Sequence, residues 1–226
     1  VADPDRLREA AHPRDVRLQD VQRAIGDDLR ERVTGVQVLA AGEVSGFGAG
    51  DRVVSNSPHA EVVSADPAFA ARIPDGVSDE HAAFTPLAAV ALQGLRLVDA
   101  RPGETVVVMG LGLIGQLAVR LLRSRGVTVV GIDPDEAKRA DAKQAGATVP
   151  ELGAPLATLL PGGAAGVLIT ASTSSDEPVN QAARLCRRRG RVVLVGVTGL
   201  ALNRADFYEN EATFQISRSY GSADAS

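Results

Sequence analysis

The run Gly110-Leu111-Gly112-Leu113-Ile114-Gly115 has the spacing G-x-G-x-x-G. It lies between an apolar stretch, Val106-Val107-Val108-Met109, and an aliphatic segment that continues past Ile114. Glycines so placed between a strand and a helix suit a phosphate. Gly110 permits a tight turn, Gly112 keeps side chains away from a pyrophosphate, and Gly115 lets the helix pack closely on the strand. The first helical residues, Leu113, Ile114 and Gly115, offer unpaired N–H groups and a partial positive charge. Roughly 20 residues further on, Val129-Val130-Gly131-Ile132 ends in Asp133. A carboxylate there accepts both hydroxyls of an adenosine ribose and repels a 2′-phosphate. No arginine directly follows to receive one. The pattern implies a dinucleotide, NAD(H) rather than NADP(H), with Lys138 as a second ribose contact.

Such residues need a sheet to position them. From residue 104 onward, strands at Thr105–Met109, Thr128–Ile132, Gly166–Thr170, Arg191–Val195 and Thr213–Ser217, with a short extended piece at Ala147–Val149, alternate with helices. The expected helices cover Leu113–Arg125, Asp135–Gln144 and Glu177–Arg187, with a helical turn near Pro155–Leu160. Six extended segments in this alternation predict an α/β fold, a Rossmann-type doubly wound parallel sheet. Composition agrees: 45% of the 226 residues are hydrophobic but only 3% aromatic, so the core is aliphatic, as parallel strands buried on both faces require.

Upstream the texture differs. Residues 1–35 are charged and read as a helical segment. Residues 36–78 read as short strands with glycine turns, at Val36–Leu39, Gly46–Val54 and His59–Val63. Ser78 is a plausible N-cap, with Asp79 and Glu80 in the first turn of a helix running on through Leu95. The expected domains are therefore 1–35, 36–78 and 79–226. A net charge of −4 and few aromatics argue against a nucleic-acid surface. No apolar stretch is long enough to span a membrane and no basic-then-apolar leader opens the sequence, so a soluble cytoplasmic protein is expected.

With Gly46-Phe47-Gly48-Ala49-Gly50-Asp51-Arg52-Val53, His59-Ala60-Glu61, Ile73-Pro74-Asp75-Gly76 and Arg101-Pro102-Gly103-Glu104-Thr105 added to the glycine loop, the sequence resembles the medium-chain dehydrogenase/reductase superfamily, that of the zinc alcohol dehydrogenases. The phrases Ile169–Thr173, Val195–Gly199 and Asn203–Tyr208 resemble a zinc-lacking subgroup of sugar and secondary metabolism. The resemblance implies a GroES-like β-rich part before the Rossmann domain, here reduced to residues 36–78. It implies that Ala171 and Ser172 lie beside the cofactor and that Gly196, Val197 and Thr198 present backbone groups to the nicotinamide carboxamide. It also implies a homodimer joined through the strand Thr213–Ser217.

The departures bear on chemistry. The position of a cysteine zinc ligand in that family falls on Thr85, the Gly-His-Glu ligand phrase is absent, and Cys186 is the only cysteine, expected as a small buried helix residue. No metal is expected. Without zinc a carbonyl needs another polar group. The candidates are Thr85, at the ligand position, and Tyr208 and Asp206, which follow the fifth strand; each could equally be a structural hydroxyl or a capping residue. Two functions stay open: hydride transfer between NAD(H) and a carbonyl or alcohol of a small polyol, sugar-derived or secondary-metabolite substrate, or a non-catalytic nucleotide- or partner-binding module that has lost its substrate half.

Overall fold

A computed structural model describes residues 15–18, 35–38, 46–57 and 62–221, the first two stretches and residue 62 by backbone alone. The chain divides into two compact units, Val1–Pro86 and Leu87–Ser226.

The first unit holds an antiparallel five-stranded sheet of β1 (Asp15–Leu18), β2 (Gly35–Val38), β3 (Arg52–Ser55), β4 (Val62–Ser64) and β5 (Ala70–Arg72), in the order β4-β1-β2-β3-β5. The expectation of a helical segment over residues 1–35 is corrected at β1. Asp15-Val16-Arg17-Leu18 alternates polar and apolar with the period of two that a strand uses, and Val16 pairs with both Val38 and Val63. The rest of that segment, and His59, Ala60 and Glu61, lie outside the described residues. Val54, Ile73 and Ala82 form a small core, with Val77 against it. Ser78 caps α1 (Asp79–Ala82), its hydroxyl accepting from the His81 N–H, as the sequence predicts. Arg52 Nε reaches Asp79 Oδ1 at 2.9 Å, tying α1 to β3. The predicted single helix is instead two, α1 and α2 (Thr85–Val98). Pro86 explains the break, because it carries no N–H to continue the ladder and suits a helix's first turn.

The second unit is the parallel sheet. Its strands are β6 (Thr105–Met109), β7 (Thr128–Ile132), β8 (Ala164–Ile169), β9 (Cys186–Leu194) and β10 (Thr213–Ile216), in the order β10-β9-β8-β6-β7. The expected sixth strand contracts to one parallel bridge, Val130 to Thr148, beyond β7. Counting that bridge, the spatial order is that of two mononucleotide-binding halves meeting at β6. Residues 106, 107 and 108, all valine, are completely buried. Val106 and Val108 face α2, α3 (Leu113–Ser124) and α4 (Glu136–Gln144) through Leu95, Val98, Val119, Leu122 and Ala142. Val107 and Met109 face α5 (Glu177–Leu185) and α6 (Arg204–Asn210) through Val179, Ala182 and Phe207. Strict alternation between two covered faces is why these strands are runs of valine. Each such side chain contributes about 1.5–3 kcal/mol by leaving water.

Two boundaries differ from the sequence reading. Helix α5 stops at Leu185, and Cys186 opens β9 instead of closing the helix. Arg187, Arg188 and Arg189 on β9 grip carboxylates: Arg187 bonds Glu104 at 2.7 Å, and Arg188 and Arg189 bond Glu211 at 2.7 and 2.9 Å.

Candidate functional site: the glycine loop at the switch point

The loop leaves β6 at the point where neighbouring strands diverge to either side, the usual ligand crevice of such sheets. Each glycine has a distinct reason to be there. Gly110 has φ +92°, and a Cβ on it would lie 2.5 Å from the Ala171 nitrogen. A Cβ on Gly115 would lie 2.1 Å from the Gly110 carbonyl oxygen and 3.0 Å from Thr170 Oγ1. Both are required by the protein itself. Gly112 is different. Its φ of −66° suits any residue and a Cβ there would meet nothing within 4 Å. What it keeps clear is space in front of the backbone. Gly112 is also the N-cap of α3, with no side-chain cap, so the N–H groups that open this 12-residue helix are left for a ligand. The open cradle and uncapped helix fit a pyrophosphate.

Asp133 stands at the end of β7 and is 93% buried, being 7% exposed. Its Oδ2 accepts from the Leu111 N–H at 2.7 Å and its Oδ1 from the Asp135 N–H at 2.8 Å. The carboxylate thus holds the glycine loop from the side. An ionised carboxylate has about four acceptor positions, so two bonds leave capacity for two ribose hydroxyls. Lys138, in the first turn of α4, has its ammonium 3.4 Å from Asp135 Oδ2 and half exposed. The Asp135 carboxyl, accepting the backbone N–H of Lys138, is held below the usual carboxylate range. Gln116, which the sequence reading passed over, donates from Nε2 to the carbonyls of Leu111 (3.1 Å) and Lys138 (2.8 Å), clamping the loop to α4. Thr170, also missed, donates from Oγ1 to the Gly110 carbonyl at 2.5 Å. Its signal was a hydroxyl ending an otherwise apolar strand.

On the other side of β6 the segments after β8 and β9 are stitched together. Val197 N–H donates to Ala171 O at 3.0 Å, Thr173 N–H donates to Val197 O at 2.8 Å, and Ser172 bridges Val197. A Cβ on Gly196 would sit 2.0 Å from the Ala171 oxygen, and one on Gly199 2.2 Å from Asp176 Oδ1. Ala171, Ser172, Gly196, Val197 and Thr198 therefore form one rigid edge at the carboxyl ends of the strands, with the Val197 side chain 71% exposed.

The three residues considered for catalysis have different settings. Thr85 opens α2, exposed, in the first unit. Asp206 lies on α6 and accepts from Arg184 Nη1 at 2.8 Å, while Arg184 also binds Glu177. Arg184 is one residue from the end of α5, which runs antiparallel to the strands and delivers the chain to the amino end of β9. Asp206 is thus engaged as an ion-pair partner of Arg184. Tyr208 is 69% exposed on the same short helix, and the Arg204 guanidinium lies over its ring at 4.6 Å. Cys186 is buried and its thiol is pushed up to about 12 by desolvation, so it is an inert packing residue at neutral pH. Among the described residues no group of three His, Cys, Asp or Glu side chains is placed to hold a metal ion, and no helix is long and apolar enough to cross a membrane.

A doubly wound sheet with a glycine loop, an uncapped helix and a carboxylate at the next strand end defines a Rossmann-type unit. Residues 114–226 match the family model described as zinc-binding dehydrogenase, and the chain belongs to that family, within the medium-chain dehydrogenase/reductase superfamily. An alcohol dehydrogenase of a Moraxella species is 35% identical over 148 residues, covering 63% of this chain and 43% of that protein. The D-guloside 3-dehydrogenase of Escherichia coli is 34% identical over 110 residues, covering 47% of this chain and 31% of its own. The chain thus spans less than half the length of these curated relatives. In fold it is similar to the crystal structure of 2R,3R-butanediol dehydrogenase from Bacillus subtilis (TM-score 0.78, 20% identity, covering 97% of this chain and 80% of that one). It is also similar to a structure from Sinorhizobium meliloti 1021 that is bound to NADP (TM-score 0.75, 24% identity, covering 92% and 78%).

Proposed function

We propose that this chain acts as an oxidoreductase that binds NAD(H) at Gly110–Gly115 and transfers hydride to or from a carbonyl or alcohol carbon of a small substrate. The substrate class is a polyol, a sugar-derived compound or another secondary metabolite. One observation carries the reading: Gly110 and Gly115 are glycine because protein presses on them, whereas Gly112 is glycine with open space before it. When bound, the nicotinamide supplies the hydride chemistry; the protein supplies orientation and a proton path. Leu113, Ile114 and Gly115 would hold the pyrophosphate through backbone N–H groups, Asp133 and Lys138 the adenosine ribose, and the 171–172 and 196–198 segments the nicotinamide half. The names of the alcohol and D-guloside dehydrogenase relatives support the substrate class.

We further propose that the activity is zinc-independent, because Thr85 occupies the cysteine ligand position and Cys186, the only cysteine, is buried at the start of β9. Thr85 remains the candidate for touching substrate, and Tyr208 a lesser one. In the same proposal the first unit is a reduced GroES-like part, the protein is cytoplasmic, and two copies pair through β10.

A second reading is favoured by a specific observation: Asp206 is engaged by Arg184. A chain with no acid at the nicotinamide edge would bind the dinucleotide without turning it over. Absorbance of NADH across a panel of polyols and their ketones separates the two. Turnover supports the oxidoreductase; saturable NADH binding with no turnover on any member supports the binding module.

A further inference from the structure

Two successive peptide units of the glycine loop are hydrogen-bonded at both ends, as backbone packed against a core requires. In the Met109–Gly110 unit, the Met109 carbonyl accepts from the Thr170 N–H at 2.8 Å and the Gly110 N–H donates to Ile132 O at 2.8 Å. In the Gly110–Leu111 unit, the Gly110 carbonyl accepts from Thr170 Oγ1 at 2.5 Å and the Leu111 N–H donates to Asp133 Oδ2 at 2.7 Å. The Leu111–Gly112 unit differs. Its carbonyl accepts from Gln116 Nε2 at 3.1 Å, but its N–H, that of Gly112, donates to no group among the described residues.

Gln116 is itself held. Its Nε2 also donates to Lys138 O at 2.8 Å, and its Oε1 accepts from Arg120 Nη1 at 3.2 Å. Two carbonyls at one end of the amide and a guanidinium at the other fix which end carries the nitrogen. Leu111 has little room to shift: its side chain is fully buried and lies over Gly131, where a Cβ would meet Leu111 Cδ2 at 3.2 Å. A trans peptide is planar, with its C=O and N–H pointing to opposite sides. Holding the Leu111 carbonyl against Gln116 therefore aims the Gly112 N–H away from that amide. It does so at the one loop glycine with open space before it, next to the uncapped first turn of α3.

We infer that Gln116 is a positioning residue of the dinucleotide site: its amide sets the Leu111–Gly112 peptide so that the Gly112 N–H joins the first turn of α3 as a donor to the pyrophosphate. This rests on the NAD(H) reading above. Without the amide, the peptide can rock between its neighbours, and a bound phosphate must pay the ordering that Gln116 supplies in advance. The same side chain ties this donor to α4 through Lys138 O, so the pyrophosphate loop and the ribose end of the site keep a fixed spacing. Gln116 acts through the peptide and takes no part in hydride or proton transfer. Methionine is similar in length and helix propensity but donates nothing, so Gln116→Met removes the clamp and little else.

The test titrates the full chain, wild type and Gln116→Met, with ADP-ribose and with adenosine, and follows the Gly112 amide proton of isotope-labelled wild type by NMR. ADP-ribose carries the pyrophosphate; adenosine carries only the ribose that Asp133 would hold. Gln116→Met should lose roughly five- to tenfold in ADP-ribose affinity and keep adenosine affinity within about twofold of wild type. In wild type the Gly112 amide proton should move downfield on adding ADP-ribose but not adenosine, a readout that does not depend on the variant folding. Unchanged ADP-ribose affinity in Gln116→Met overturns the assignment. So does an equal loss for both ligands, which marks the amide as a brace for the fold alone, and so does a Gly112 amide proton that ignores ADP-ribose. If wild-type protein binds neither ligand, the cofactor reading itself falls and this inference with it. Wild-type binding of ADP-ribose, with the variant indifferent, overturns this assignment alone.

Discussion

Gly112 offers the cleanest separation of ligand binding from folding. At its φ of −66°, with nothing within 4 Å of an added Cβ, Gly112→Ala meets no protein atom. Two small effects on stability oppose each other. Alanine is a poorer N-cap than glycine by about 0.5–1 kcal/mol, while restricting the unfolded chain stabilises by about 0.4–1 kcal/mol. Net stability should stay within about 0.5 kcal/mol, about 2 °C in Tm for a chain of this size. Binding should respond differently. The added methyl stands where phosphate oxygens must approach the helix N–H groups, and the two charge-assisted bonds at risk are together worth about 3–5 kcal/mol. NADH affinity should therefore fall by about two to three orders of magnitude, and Gly112→Val should abolish it. Calorimetric titration with NADH alongside thermal melts checks both halves. Wild-type affinity in Gly112→Val would refute the phosphate cradle, and a Tm drop of 10 °C or more in Gly112→Ala would show that this glycine serves the fold.

Three other outcomes are expected. Gly115→Ala should do the reverse of Gly112→Ala: its Cβ would lie 2.1 Å from the Gly110 oxygen, so the melt should fall by roughly 4–10 °C, for about 1–3 kcal/mol of overpacking, before any ligand is added. Glu211, bonded by Arg188 and Arg189, has its carboxyl pulled down from 4.5 to about 2. Because the folded value lies below the unfolded one, its contribution is complete above about pH 4.5 and is lost as pH falls toward 2; the stability gap between wild type and Glu211→Gln, read from urea melts, should close over that window and stay flat above it. Strand β10 pairs on one side with β9 and ends the sheet, so light scattering at working concentration should give a dimer; a clean monomer would count against pairing through this edge.

Legibility in the sequence followed how local the determining physics was. Strands β6 and β7 are found at the boundaries expected, since a both-faces-buried strand is a valine run that needs no distant partner to be read. The glycine loop and Asp133 were legible because backbone freedom and carboxylate chemistry are properties of the residues themselves. Long-range pairing was not. Asp15–Leu18 is a strand because β2 and β4 flank it, and a four-residue alternation inside a charged segment gives weak notice of that. Asp206 looked free for chemistry because it follows a strand on the ligand side; Arg184, 22 residues earlier, claims it across two helices. Gly199 has no turn signature, and its reason is the Asp176 carboxylate 2.2 Å from where a Cβ would stand. Ser217 carried a faint signal, a polar residue closing an apolar strand, but only three-dimensional burial shows its hydroxyl to be unpaired.

The central claim is that the loop and Asp133 form an NAD(H) site, and paired titration of the wild-type chain with NADH and NADPH, followed by the rise in dinucleotide fluorescence, tests it most directly. A 2′-phosphate would sit at hydrogen-bonding range of a carboxylate whose Oδ1 and Oδ2 are fixed by Asp135 and Leu111. Repulsion and lost ribose bonds should together cost about 2–3 kcal/mol. The account predicts saturable NADH binding and roughly hundredfold weaker NADPH binding. NADPH binding as tight as NADH, or no binding of either, would contradict it.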